Sequence, residues 1–153
     1  MDKPFIGNKQ KANNSQRFGT LAIDLGNSTT VVAFQDEQKG LNNPQLLNLP
    51  PISRTKGEVP SFVLYKKDKD QNLLIGQQVL NCYLTEEEKM NICSDFKRWI
   101  GAKNPPRNSN NSLLPEEAGE LLIKEIWRRL PPQLLIKRLV LTAPVETYRA
   151  YRT

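Results

Sequence analysis

Two short apolar runs, Leu21-Ala22-Ile23-Asp24-Leu25 and Thr30-Val31-Val32-Ala33-Phe34, flank the turn chemistry of Gly26-Asn27-Ser28, and this arrangement constrains the chain more tightly than any other feature. Residues rich in β-branched and aromatic side chains favour strands, and a Gly/Asn/Ser cluster between them favours reversal. The pair therefore predicts a β-hairpin with a tight Gly-Asn-containing turn. It places Asp24 at the end of a buried strand, facing a cleft.

The following segments extend the pattern. Leu46 to Leu49 reads as a third strand stopped by Pro50-Pro51, Ser61 to Tyr65 as another, and Leu73 to Ile75 as a short one ended by Gly76, after a charged turn over Lys66 to Asn72. Residues 77–100 read as mainly helical with an interruption; Phe96, Trp99 and Ile100 share a helical face and Gly101 caps it. A Pro/Asn/Ser loop over 102–113 precedes the clearest helix. That helix has Pro115 at its first position, Glu116 and Glu117 at the positive end of its dipole, and Arg128 and Arg129 at the negative end. Its apolar stripe is Leu122, Ile123, Ile126, Trp127 and Leu130, and Pro131-Pro132 forbid continuation. Ile136 to Leu141 is a strand running into Thr142-Ala143-Pro144, and Glu146 to Thr153 begins a further helix. Polar residues 1–17 read as a disordered lead-in, leaving 18–153 as the folded unit. Strands first, then helices, then a strand entered from a helix predict an α/β or α+β fold.

Composition removes several function classes. The chain has no histidine and two isolated cysteines, Cys82 and Cys93, which excludes Ser-His and Cys-His catalysis and leaves no credible zinc site. No apolar run approaches the roughly 20 residues of a membrane span, and the N-terminus has no apolar segment of signal-peptide length, so a cytoplasmic protein without membrane contact is expected. The net charge of +6 is spread among interleaved acidic residues and contains no basic block, which reads as solvated faces rather than as a nucleic-acid surface.

The hairpin tip carries the chemistry. Gly26 lets the backbone turn sharply and approach a ligand, and successive N–H groups in such a turn form an anion-binding nest. Asn27, Ser28 and Thr29 add short side-chain donors there. A carboxylate, Asp24, beside phosphate donors makes sense if a hydrated Mg²⁺ bridges the two. The plainer alternative on these residues alone is a hairpin turn with a polar tip. The segment lacks the Gly-Lys-Ser/Thr of a P-loop and the further glycines of a dinucleotide fingerprint.

The segment AIDLGNSTTVVAF resembles the first phosphate-binding motif of the seventy-kilodalton heat-shock (DnaK-type) chaperones and of actin-like ATPases more widely. Four further segments follow in the family's order: Val59 to Val63, Leu74 to Gln77, Phe96 to Gly101, and Leu139 to Pro144. The resemblance covers about residues 20 to 153 and implies an α/β fold, an actin-like (ribonuclease H-like) ATPase lobe with a mixed twisted sheet and packed helices. It implies that Asp24 holds a Mg²⁺ hydration shell, that Gly26, Asn27, Ser28 and Thr29 wrap the phosphates of ATP or ADP, and that Pro144 and Arg152 relay nucleotide state between domains.

The sequence also departs from that family. An ungapped alignment puts Leu80 where the family has its catalytic lysine. A leucine neither orients an attacking water nor neutralises phosphate charge, and electrostatic stabilisation dominates phosphoryl transfer. The second phosphate loop, the adenosine pocket and the substrate-binding domain of the family have no counterpart in these residues, so the lobe is expected to be incomplete. Weak or absent nucleotide binding and no hydrolysis by the chain alone are expected, with a second lobe, co-chaperones or unfolded clients as the implied partners. The alternative is a chaperone-like interaction module without catalysis, or a fragment without function of its own.

Overall fold

Alternation of buried and half-exposed side chains builds two antiparallel strands, β1 (Arg17–Asp24) and β2 (Thr29–Asp36), joined across residues 25–28. The structure is a computed structural model and describes residues 16–39, 43–65, 73–105 and 113–142. The expected hairpin is therefore present, with β1 starting at Arg17 rather than Leu21 and thus one residue inside the expected lead-in. Residues 1–15, the 66–72 turn, and everything from Ala143 on, including Pro144, Arg152 and the helix expected from Glu146, lie outside the described residues.

A short 3-10 turn (Glu37–Lys39) follows β2, and the remaining strands and α-helices are β3 (Gln45–Leu46), β4 (Glu58–Pro60), β5 (Val63–Tyr65), β6 (Leu73–Ile75), α1 (Gln77–Asn81), α2 (Glu86–Met90), α3 (Phe96–Trp99), α4 (Pro115–Arg128) and β7 (Leu134–Leu141). The main sheet runs β3-β2-β1-β7, with β4 also on β2. Strands β2, β3 and β4 are antiparallel to their neighbours, while β7 lies parallel to β1 after the α4 crossover. A parallel neighbour needs such a crossover, because no tight turn returns a chain in the same direction. A second, two-stranded sheet pairs β5 with β6. The architecture is thus mixed α/β, as the order of elements implies. Among the described residues, no helix is long and apolar enough to cross a membrane.

One face of the main sheet is the core. Leu21 and Ile23 of β1 sit opposite Phe34 and Val32 of β2, and all four are buried. Leu47, Leu49, Ile52 and Val59 from the β3–β4 region pack with them, as do Phe96 and Ile100 around α3 and Ala118, Leu122 and Ile126 of α4. Phe96 and Ile100 are four apart, the spacing that stacks side chains on one helical face. Helix α4 opens at Pro115 as expected, where Glu117 Oε2 accepts the Leu114 N–H at 2.7 Å.

Two expectations need correction. The stripe on α4 does not include Trp127, which is exposed; Glu125 is buried instead, bonded by Arg129 Nε at 2.7 Å and Arg128 Nη1 at 3.1 Å. Leu122 and Ile126 fix the buried face, and Trp127 lies about 100° further round the helix from Ile126. Residues 77–100 are mainly helical but interrupted twice rather than once, which leaves three short helices. Between α2 and α3 the chain is drawn into a bridge, with Val63 and Cys93 exchanging N–H···O bonds of 3.0 and 2.8 Å, so backbone donors that would extend a helix are spent on the second sheet. Thr85 and Glu88 form a capping box that starts α2, and Asp95 before α3 is left-handed at φ 54°. Gly76 ends β6 as expected, at φ 60°, with Ile52 O only 2.4 Å from where a Cβ would stand.

The end of β2 carries a charged cluster. The Arg17 guanidinium, donating to Asp36 at 2.7 Å, and the Gln38 N–H at 3.0 Å hold the Asp36 carboxyl below the usual carboxylate range, against the opposing effect of burial. Lys137 does the same for Glu37 from 2.9 Å. A carboxyl whose pKa is depressed on folding stabilises the fold above its unfolded value of about 4 and loses that contribution as pH falls through the lower folded value. Arg17→Met is therefore expected to lower the urea midpoint at neutral pH and to shrink its further fall below about pH 4. Identical pH profiles for the two proteins would show that Arg17 does not set the Asp36 proton affinity.

Candidate functional site

The turn between β1 and β2 is held from below and from the side by residues far away in sequence. Leu25 is fully buried and anchors its first residue in the core. Thr142, just beyond β7, closes the β1 side: its hydroxyl donates to Asp24 Oδ1 at 2.7 Å and accepts the Leu25 N–H at 3.1 Å, while its own N–H bonds Ile23 O at 3.2 Å. One hydroxyl thus uses both its donor and an acceptor site, which fixes the Asp24 carboxylate without consuming its second oxygen.

Ser61 supports the other side. Its Oγ donates to Gly26 O at 2.8 Å and its N–H bonds Ser28 O at 2.9 Å. Because that hydroxyl proton is spent on Gly26, the 2.9 Å contact with Thr30 Oγ1 is a bond donated by Thr30. Thr30 and Ser61 are both fully buried, so this pair is a satisfied polar contact inside the core beneath the turn. With the Gly26 and Ser28 carbonyls tied inward, the turn's N–H groups are left for other partners. Among the described residues no acceptor bonds the N–H of Gly26, Asn27 or Ser28. Asn27 and Ser28 are exposed, as is Asp24.

Gly26 is required for a different reason than conformational freedom. A Cβ on it would stand 2.1 Å from Thr29 O, so the tightness of the turn itself excludes a side chain. Two cationic side chains also reach the turn. Lys97 Nζ of α3 lies 3.8 Å from Asp24 Oδ1, and Arg54 Nη2, from the β3–β4 connection, donates to Thr29 Oγ1 at 3.3 Å.

The five residues expected at the site lie together at the end of the main sheet, Asp24, Asn27 and Ser28 exposed and Gly26 and Thr29 half-buried. Leu80 is on α1 and exposed. Thr142, Ser61, Lys97 and Arg54 are additions from the structure. The first three lie within segments that carry the family resemblance, but nothing in one sequence marks them as neighbours of the turn; Arg54 has no sequence signal at all.

Among the described residues no three His, Cys, Asp or Glu side chains gather to hold a metal. Asp24 alone, oriented and with one oxygen free, fits a hydrated Mg²⁺ shared with phosphate oxygens, because Mg²⁺ keeps several waters and takes one or two carboxylates. On the α4 side, Leu25 borders a cavity of 280 Å³ with Ile100, Gly119 and Ile123, but Glu116 and Glu120 also line it and make it hostile to an anion. No protein-family model matches this chain, and no curated protein does.

Proposed function

We propose that the Asp24–Thr29 turn is the phosphate-binding loop of an actin-like nucleotide-binding lobe of the heat-shock chaperone type, taking ATP or ADP together with Mg²⁺. The observation that carries this reading is the Thr142–Asp24 contact. It fixes one oxygen of a carboxylate at the foot of a turn whose three N–H groups the described residues leave without acceptors. A carboxylate beside bare donors is repelled by a lone anion and suits a cation-bridged one. The mixed sheet with packed helices is compatible with the expected lobe.

The chain's own residues would perform binding and orientation. Gly26, Asn27 and Ser28 offer N–H groups to phosphate oxygens, Asp24 meets the hydrated ion, and Ser61 keeps the turn from relaxing. Bound Mg²⁺ would neutralise phosphate charge. Leu80, exposed and uncharged, offers nothing to orient a water, which favours the second reading of a chaperone-like interaction module without catalysis.

The test is a titration with Mg·ATP to millimolar concentration, followed through backbone amide chemical shifts. Saturable shifts of the Gly26, Asn27 and Ser28 amides are expected, weakened at least about tenfold in Asp24→Ala, the equivalent of about 1.4 kcal/mol. Absence of shifts at these amides in the folded wild-type chain would overturn the reading.

A further inference from the structure

We propose that Lys97 and Arg54 form a two-sided cationic clamp on the phosphates held at the Asp24–Thr29 turn. The inference rests on the phosphate reading above and names the groups that make the site prefer polyphosphate. The turn has two stems, Asp24 at the end of β1 and Thr29 at the start of β2. Each stem has one cation: Lys97 at 3.8 Å from Asp24 and Arg54 at 3.3 Å from Thr29. The exposed residues Asn27 and Ser28, whose N–H groups have no acceptor among the described residues, lie between the stems.

Among the described residues neither cation is in a close ion pair: each stands 3.8 Å from its nearest carboxylate oxygen. The Lys97–Asp24 separation exceeds hydrogen-bond reach, so the ammonium feels the carboxylate without spending a donor on it. Lys97 is otherwise well packed, with its side chain only 19% exposed, so its stem is held while its head reaches the turn. Arg54 spends one nitrogen on Thr29, and its contact with Glu58 is loose at 3.8 Å. The guanidinium fork has five donors and matches phosphate oxygens bidentately. A turn of bare N–H groups is suited to one phosphate; two cations at its two edges suit a chain of them. The positive charge that Leu80 does not provide on α1 is thereby supplied from α3 and from the β3–β4 connection.

Magnesium tripolyphosphate is the discriminating probe, because it has no nucleoside. Its affinity is read from the amide shifts of Gly26, Asn27 and Ser28 in wild type, Lys97→Met, Arg54→Met and Asp24→Ala, each checked for folding by circular dichroism. Methionine keeps most of the stem while removing the charge. Each of the two cation variants is expected to bind about tenfold more weakly, as for loss of one charge-assisted hydrogen bond. Lys97→Arg is expected to retain affinity within a few-fold. Wild-type affinity is also expected to fall more steeply with salt than that of either variant. Binding that depends on Asp24 but is unchanged in Lys97→Met and Arg54→Met would overturn the clamp and leave the phosphate reading standing. A wild-type chain with no tripolyphosphate binding would overturn both.

Discussion

Phe34→Ala is expected to remove about 3–5 kcal/mol of unfolding free energy, the range for truncating a buried aromatic side chain. Phe34 is fully buried on β2 and faces Leu21 across the strand pair. Its ring also fills space that β1 leaves empty: a Cβ at Gly19 would stand 2.8 Å from the ring's Cζ and 2.0 Å from Gln35 O. Gly19 therefore cannot contribute a side chain to close the cavity left by alanine. The Arg17 guanidinium, 5.2 Å from the ring centroid, loses a cation–π partner as well. Small domains have only about 5–15 kcal/mol in total, so the variant is expected to melt on the order of 10 °C lower or to populate the unfolded state. Urea and thermal unfolding of both proteins measure this. A loss under about 1 kcal/mol would mean that the core collapses around the missing ring, contrary to the backbone contact at Gly19.

What the sequence makes legible follows from how local each cause is. The β1–β2 hairpin depends on alternation and on three turn residues, all within a window of about fifteen positions, and it is present with only its start displaced. Helix α4 is legible because Pro115, the glutamates after it and the prolines after Arg129 mark its limits independently of packing. Its buried face is less so: Trp127 is apolar and near the stripe, yet Glu125 takes the inward position because two arginines neutralise it. The three helices in 77–100 were hidden because the interruption is a pairing with Val63, made elsewhere in the chain. The same limit applies to the site. Asp24 to Thr29 are contiguous and carry their own chemistry, so they can be singled out from composition and spacing. Thr142 reaches Asp24 across 118 positions and only because β7 lies parallel to β1. Ser61, Lys97 and Arg54 likewise depend on which loop ends beside which strand, and a single sequence does not encode that in any local pattern.

Gly26→Ala is expected to cost about 1–3 kcal/mol and to abolish anion binding at the turn, whereas Asn27→Ala, one residue on and exposed, is expected to change stability by no more than about 0.5 kcal/mol. The alanine methyl would be placed 2.1 Å from Thr29 O. Relief requires moving a carbonyl at the start of β2, where Thr29 pairs with Pro60, or moving Gly26 itself. Either motion strains the contacts beneath: Ser61 Oγ to Gly26 O at 2.8 Å and Ser61 N–H to Ser28 O at 2.9 Å. Breaking the first strands a hydroxyl in a fully buried pair with Thr30, where an unsatisfied group is costly. The functional consequence follows from the same geometry. Ser61 holds the Gly26 and Ser28 carbonyls, and the described residues offer the N–H groups of Gly26, Asn27 and Ser28 no acceptor. A turn that slips off Ser61 loses the convergence of its donors while Asp24 remains fixed by Thr142. Urea unfolding gives the stability of both variants, and amide shifts with magnesium tripolyphosphate give their binding under conditions where each is folded. A folded Gly26→Ala that binds as wild type would show that the tightness of the turn is structural alone and that the phosphate donors lie elsewhere.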